Sequence, residues 1–231
     1  NMSYVGKVLK KDDGIYIEIQ KFTIKKPRKL LNATWTPRFL FAIVISFVMI
    51  DGYYRTSGTN NIAQGQSALQ NNTTGGANNA FGRWGLKNNT SGYNNSAFGN
   101  YALQNNSIGV SNTAVGHQSL QSNTTGNYNT SVGVNCLNAN TFGKYNTAVG
   151  MGSLQSNTTG SYNTAFGYRS LFANTFGVYN TAVGRTSMNS NITGSCNSIF
   201  GYSALRENIV GSNNSAFGYR SLFANLANSN N

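Results

Sequence analysis

Side chains that could do acid–base or metal chemistry are scarce between residues 58 and 231. This region contains one acidic side chain, Glu207, and one histidine, His117. Paired carboxylates, a Ser/His/Asp set and a metal cluster all need more such groups than one chain supplies here. Copies of His117 could meet at the axis of an oligomer and hold an ion, although a single histidine at a variable position is more typical of a plain surface residue. The sequence therefore predicts a protein that is not an enzyme and that has no cofactor and no resident metal.

Aromatic residues, in contrast, recur at a fixed interval. Tyr128, Tyr145, Tyr162 and Tyr179 are each 17 residues apart. Such a row could stack against sugar rings or a partner surface, and the alternative is that these tyrosines pack into a subunit seam or brace a turn. The four tyrosines are the candidate surface-binding residues.

The same interval of 17 residues organises the whole region. Ten glycines, called the anchor glycines below, follow it without insertion or deletion: Gly65, Gly82, Gly99, Gly116, Gly133, Gly150, Gly167, Gly184, Gly201 and Gly218. Asparagine stands seven residues after every anchor glycine, for example at Asn72, Asn123, Asn157 and Asn174, and again thirteen residues after it. A second glycine stands ten residues after nine of them. Strict periodicity indicates that each repeat is one structural unit stacked on its neighbours.

The residue types in the repeat favour strands and tight corners. Glycine and asparagine accept left-handed backbone conformations cheaply, so their columns are predicted to mark the corners of a coil. Stacked asparagines can also form amide ladders along the axis. Two helices and their turns need about 33 residues, so a 17-residue repeat leaves no room for them. The sequence predicts an all-β fold, a parallel β-solenoid of ten 17-residue coils, roughly 50 Å long at about 4.8 Å per coil.

Pairs of adjacent apolar residues predict an outward stripe. In Ala114–Val115 and Ala148–Val149 the two neighbours on a strand point to opposite faces. One column therefore fills the interior and the other lies outside, and the sequence leaves open which is which. Ser119–Leu120 is expected to repeat that geometry on another side of the coil. Because long exposed apolar stripes mark interfaces, we expect self-association into a homotrimer.

Residues 1–57 show no trace of the repeat and form a separate segment. Val5–Leu9 and Ile15–Ile19 flank a Lys-Lys-Asp-Asp-Gly stretch, which predicts a β-hairpin. A basic cluster at residues 25–29 precedes the apolar run of residues 39–50. That run is shorter than the about 20 residues that a membrane-spanning helix requires. It is interpreted as a membrane anchor or signal-like segment, as a buried strand, or as an artefact of the sequence boundary.

The net charge of +12 divides equally between the two parts of the chain. Residues 1–57 hold ten Lys and Arg against four acids, and residues 58–231 hold seven against one. The cations of the repeats look dispersed along the sequence, whereas a nucleic-acid groove needs dense basic tracking. Nucleic acid is therefore not an expected partner.

The two cysteines, Cys136 and Cys196, lie about three and a half coils apart, roughly 17 Å at the strand spacing, so we expect free thiols.

A family resemblance is carried by two blocks of the repeat, Asn112–Gly116 and Asn146–Gly150. A Ser-Leu pair follows each block closely. Residues 58–231 resemble the head repeats of trimeric autotransporter adhesins and similar viral fibres, although the 17-residue repeat is longer than that family's usual one. The resemblance implies a left-handed parallel β-roll with three chains around one axis. It also implies an extracellular, cell-surface or virion-surface location and attachment to a host-surface protein or glycan.

The sequence thus predicts an adhesive fibre, with two rivals. An ice-binding solenoid is suggested by a regular threonine column on a nearly uncharged face, at Thr113, Thr130, Thr147, Thr164 and Thr181. A self-stacking extracellular fibril is the other alternative.

Overall fold

A computed structural model describes residues 2–11, 14–24 and 58–231. The chain divides into two compact units, Asn1–Met49 and Ile50–Asn231. The apolar run of residues 39–50, with its proposed role as an anchor or a buried strand, lies outside the described residues. Within them, no helix has the length and apolar character needed to cross a membrane.

The N-terminal unit contains two antiparallel strands. β1 (Met2–Lys11) pairs with β2 (Gly14–Ile24), from Met2 opposite Ile24 to Lys11 opposite Gly14. The register shifts once, between Val5 and Gly6 of β1.

The second unit is a solenoid in which each coil contributes one strand of three residues. The strands are β3 (Ile62–Gln64), β4 (Asn79–Phe81), β5 (Ser96–Phe98), β6 (Thr113–Val115), β7 (Thr130–Val132), β8 (Thr147–Val149), β9 (Thr164–Phe166), β10 (Thr181–Val183), β11 (Ser198–Phe200) and β12 (Ser215–Phe217). They form one 10-stranded sheet in chain order. Every pair is parallel with partners 17 residues apart, such as Thr113 opposite Thr130. The prediction of an all-β parallel solenoid with 17-residue coils is confirmed.

The middle residue of each strand faces the interior. Ala114 is fully buried, whereas Val115 beside it is 37% exposed. The alanine column therefore fills the coil, and the Val or Phe column forms the outward stripe. A leucine four residues after the anchor glycine completes the apolar core in eight coils, and Met188 does so in one. The corresponding Leu222, after the last anchor glycine, is 36% exposed.

The Ser–Leu pair departs from the predicted alternation. Ser119 and Leu120 are both fully buried. Leu120 has a left-handed backbone conformation, with φ of 51°, so successive side chains no longer point to opposite faces as they do along a strand. The expectation that this pair presents one residue outward is wrong.

The left-handed corners also lie elsewhere than predicted. They fall two, four and twelve residues after the anchor glycine, for example at Gln118, Leu120 and Tyr128, and neither buried asparagine column adopts them. The anchor glycine does require its residue type: Gly116 has φ of 129°, and a Cβ there would lie 2.5 Å from the carbonyl oxygen of Gly133. Glycine at the second position, such as Gly126, is required by the close approach of coils rather than by a positive φ.

Two asparagine columns form the predicted amide ladders inside the coil. Asn123 Nδ2 donates to Asn106 Oδ1 of the preceding coil (2.7 Å) and to the carbonyl oxygen of Gly126 (2.9 Å). Asn112 Nδ2 donates to the same Gly126 oxygen (2.8 Å) and to Asn95 Oδ1 (3.2 Å). All four asparagines are fully buried. Because these amides bond from coil to coil, they stabilise the interior and fix the stacking register.

Candidate functional site

The four candidate tyrosines form a continuous stack on the outside of the solenoid. Ring centroids of Tyr128, Tyr145, Tyr162 and Tyr179 lie 4.9, 5.0 and 4.8 Å apart, and successive planes differ by 8°, 11° and 9°. Each tyrosine has φ between 56° and 59°, and its side chain is about half exposed. The structure thus brings together the whole predicted set.

The stacking limits what this row can bind. The three stacking contacts cover the ring faces inside the row, and only the outer faces of Tyr128 and Tyr179 are not covered by another ring of the row. A sugar that stacks on an aromatic ring needs an open face, and the row offers mainly ring edges and phenol hydroxyls. Cys196 occupies the next position of this column and is exposed.

A second outward surface collects most of the cations of the solenoid. We define the basic face as the positions one, two and five residues after each anchor glycine. Six of the seven Lys and Arg residues between 58 and 231 lie on it: Arg83, Lys87, Arg169, Arg185, Arg206 and Arg220. Only Lys144 lies elsewhere. These cations are dispersed along the sequence but share one face of the solenoid, because residues separated by multiples of 17 stack on one another.

Aromatic rings lie between the cations of the basic face. The guanidinium carbon of Arg169 is 4.2 Å from the ring centroid of Phe172. The Arg185 guanidinium lies 5.6 Å from the Tyr168 ring and 5.5 Å from the Tyr202 ring, and its Nη1 donates to Tyr202 Oη at 3.2 Å. These are cation–π distances. They hold the guanidinium groups in place at the surface.

The basic face has a second, smaller group of cations near the start of the solenoid. Arg83 and Lys87 lie 4.6 and 4.7 Å from the Trp84 ring. Tyr101 packs edge-on against Trp84 at 5.0 Å and against His117 at 5.5 Å. His117 is exposed, and the described residues contain no group of three side chains that could hold a metal ion.

The outward side of the strands carries a third regular pattern. In five consecutive strands, β6 to β10, the first residue is threonine and the third is Val or Phe. The hydroxyls of these five threonines make no hydrogen bond to another residue of the described solenoid. In a different threonine column, Thr124 Oγ1 donates to the carbonyl oxygen of Thr141 at 3.0 Å. The first column therefore leaves its hydroxyls available to a second molecule or to water.

The two cysteines are free thiols in unlike surroundings. Cys136 is buried, and burial raises the pKa of its thiol to about 11, despite a hydrogen bond with Ser131 that lowers it. Cys196 is exposed. Because the thiolate is the reactive form, Cys136 is inert at neutral pH.

Comparison of the chain with protein-family models, curated proteins and solved structures found no match. The resemblance to adhesin head repeats therefore rests on the repeat residues alone. Sequence reasoning found the tyrosine row but missed the basic face. The signal was present, since six of the seven cations share three positions of the repeat.

Proposed function

We propose that this protein is a structural and adhesive fibre located outside the cell, on a cell or virion surface. The fibre projects from that surface and binds through many weak, repeated contacts. One observation carries the proposal: the inward positions repeat closely, whereas the residue types at several outward positions vary from coil to coil. Four residues after the anchor glycine, Leu120, Leu137 and Leu154 occupy successive coils. One residue after it, the same coils carry His117, Val134 and Met151. A constant interior with a variable exterior suits a scaffold that displays side chains at regular intervals.

Multivalent display sets the expected strength of binding. At about 4.8 Å per coil, ten coils hold equivalent positions along roughly 48 Å. Contacts that are weak singly become strong together when they are held at a fixed spacing. The partner is a host-surface protein or a glycan, in line with the resemblance to adhesin heads.

Three copies around one axis are part of this proposal. The Val or Phe column is exposed or partly exposed along the sheet, with Phe98 at 42%, Val115 at 37% and Phe166 at 41%. An apolar stripe repeated over the length of the solenoid is larger than isolated surface residues produce. Packing the stripes of three chains against one another removes this surface from water.

Deletion of whole coils tests multivalent adhesion. Removing residues 134–150, or 134–167, preserves the 17-residue register, so the interior columns still meet. We expect binding of the full chain to arrays of glycans and matrix proteins to weaken progressively with one and two coils removed. Binding that is unchanged by both deletions would contradict the multivalent mechanism. Deletion of residues 134–149, one residue short of a coil, is the control that must disrupt folding.

Ice binding is a second candidate, favoured by the five unbonded threonine hydroxyls of β6 to β10. Ice growth would be slowed if this regular array ordered water at the sheet surface. Thermal hysteresis measured on the full chain tests it, with Thr130→Tyr and Thr147→Tyr as variants that disturb the array. Because the same sheet surface is covered in the proposed trimer, the two functions exclude each other on that surface.

A further inference from the structure

The C-terminal half of the basic face forms an unbroken row of cations. Arg169, Arg185, Arg206 and Arg220 come from four consecutive coils, one from each. All four are exposed. One acidic side chain lies near them, Glu207, whose Oε1 is 3.5 Å from Arg206 Nε. The row therefore keeps an excess of positive charge that nothing else in the described solenoid neutralises.

Arginine determines which anions suit this row. Its guanidinium group is always charged and presents a planar fork of donors that matches carboxylate and sulfate oxygens. Cation–π contacts with Phe172 and Phe223, both at 4.2 Å, hold Arg169 and Arg220 against the surface. Less conformational entropy is then lost on binding than for a free side chain. The row is prepared for a linear polymer that carries regularly placed anions.

The aromatic rings of the row argue against single-stranded nucleic acid. Proteins that bind single strands stack the bases on open aromatic faces. Here cations lie over the rings of Tyr168, Phe172 and Phe223. Tyr202 is contacted by the Arg185 guanidinium at 5.5 Å and by the stacked Tyr219 ring at 5.4 Å. These rings are in contact with a cation or another ring, although Tyr219 remains 72% exposed, so the surface favours anionic groups over stacked bases.

We propose that the row of Arg169, Arg185, Arg206 and Arg220 binds an acidic polysaccharide, a glycan chain bearing sulfate or carboxylate groups. The inference deepens the proposed adhesive function and rests on it, because it names the ligand class and the surface. It also differs from the tyrosine row, where stacked rings present their edges and no cation contributes except Lys144 in the neighbouring column.

The test compares two full-length variants that each lose four positive charges. The first is R169Q/R185Q/R206Q/R220Q. Glutamine occurs naturally at each of the three positions of the basic face, at Gln66, Gln118 and Gln121, so these substitutions fit the coil. The control is K25Q/K26Q/R28Q/K29Q, which lowers the net charge equally in the N-terminal basic cluster.

Binding to heparin, to uncharged dextran and to single-stranded DNA is measured by titration calorimetry at several salt concentrations. We expect heparin binding with no dextran binding, weakened about 30-fold in the first variant and with a shallower salt dependence. The control variant should keep most of the affinity. Equal affinity of the wild type and the first variant, or an equal loss in the control, would overturn the proposal.

Two further outcomes also decide the proposal. Preferential binding of single-stranded DNA over heparin, lost in the first variant, would assign the row to nucleic acid and overturn the glycan assignment. If heparin binding fails while adhesion still weakens with each deleted coil, the ligand assignment is wrong and the fibre proposal stands. Matching thermal unfolding curves of both variants and the wild type establish that the fold is retained.

Discussion

Polar side chains lie on both sides of the coil wall, and the two sides bond differently. Inside, Asn112 and Asn123 both donate to the carbonyl oxygen of Gly126, and each continues a ladder into the preceding coil. Outside, the hydroxyls of the first threonine column make no hydrogen bond to another residue of the described solenoid. The chain therefore uses its inward asparagine side chains to stack its own coils. On the outer side, the first threonine column leaves its hydroxyls available to another molecule or to water.

The largest expected effect comes from filling the space between coils. In Gly126→Ala the new Cβ would meet Asn123 Oδ1 and the carbonyl oxygen of Gly143 closer than van der Waals contact allows. We expect a loss of at least about 3 kcal/mol in the free energy of unfolding, measured by chemical denaturation.

Gly152→Ala is the matched control for this prediction. Gly152 is buried under neighbouring side chains, at the position that Gln118 and Arg169 occupy in other coils. The nearest atom to a Cβ there is Gln155 Oε1 at 3.2 Å. Gly152 has a left-handed φ of 67°, which costs a non-glycine residue about 1 kcal/mol, so we expect a loss of that size and no larger. Equal destabilisation by both substitutions would show that inter-coil approach is not the cause.

Breaking one ladder is the next largest effect. Asn146→Ala removes two hydrogen bonds. In one, Asn146 Nδ2 donates to the carbonyl oxygen of Gly160 (2.9 Å), and in the other, Asn146 Oδ1 accepts from the backbone N–H of Asn163 (3.0 Å). We expect a loss of about 2 kcal/mol, since a buried donor is left unpaired. Thermal unfolding measures it. In the control Asn79→Thr, a strand residue outside the ladders is changed to the type found at Thr113, and an equal loss there would contradict the ladder account.

Interrupting the tyrosine stack has a smaller effect. Tyr145→Ser removes ring contacts at 4.9 and 5.0 Å, and serine already occupies this position at Ser111. We expect a loss of about 1 kcal/mol in the unfolding free energy. If the row instead contributes to adhesion, binding to a surface falls by more than this stability change explains. Unchanged stability and unchanged binding would leave the stack without either role.

The smallest effect at neutral pH concerns the buried thiol. Serine replaces Cys136 in equivalent coils, as at Ser119 and Ser153, so Cys136→Ser should unfold like the wild type at pH 7. Because burial raises the pKa from 9.0 to about 11, the folded state holds the thiol proton more tightly than the unfolded state. The wild type should therefore lose stability relative to the variant as pH rises from 9 to 11.

A thiol-labelling reagent at pH 7 should modify Cys196 and spare Cys136, and equal labelling would contradict the burial.

The repeat architecture was predictable from the sequence, whereas the positions of the left-handed backbone conformations were not. The interval of 17 residues and the columns of glycine and asparagine were enough to predict the solenoid and its amide ladders. The inward direction of Leu120 was not predictable from alternation, because a non-glycine residue adopts φ of 51° there. Propensity assigns such conformations to Gly and Asn, whereas packing of the leucine core overrides it. The basic face became visible only once equivalent positions of the coils were aligned in space.

We propose that the outward Val or Phe stripe joins three chains into one fibre. Light scattering coupled to size-exclusion chromatography of the full chain tests it most directly. The variant V132Q/V149Q/F166Q/V183Q is measured beside the wild type. Glutamine is chosen because Gln64 naturally occupies the same position in β3. We expect a wild-type mass of about 74 kDa, three times 24.8 kDa, and the mass of one chain in the variant. A wild-type mass of 24.8 kDa, or a trimer that the variant leaves intact, would contradict it.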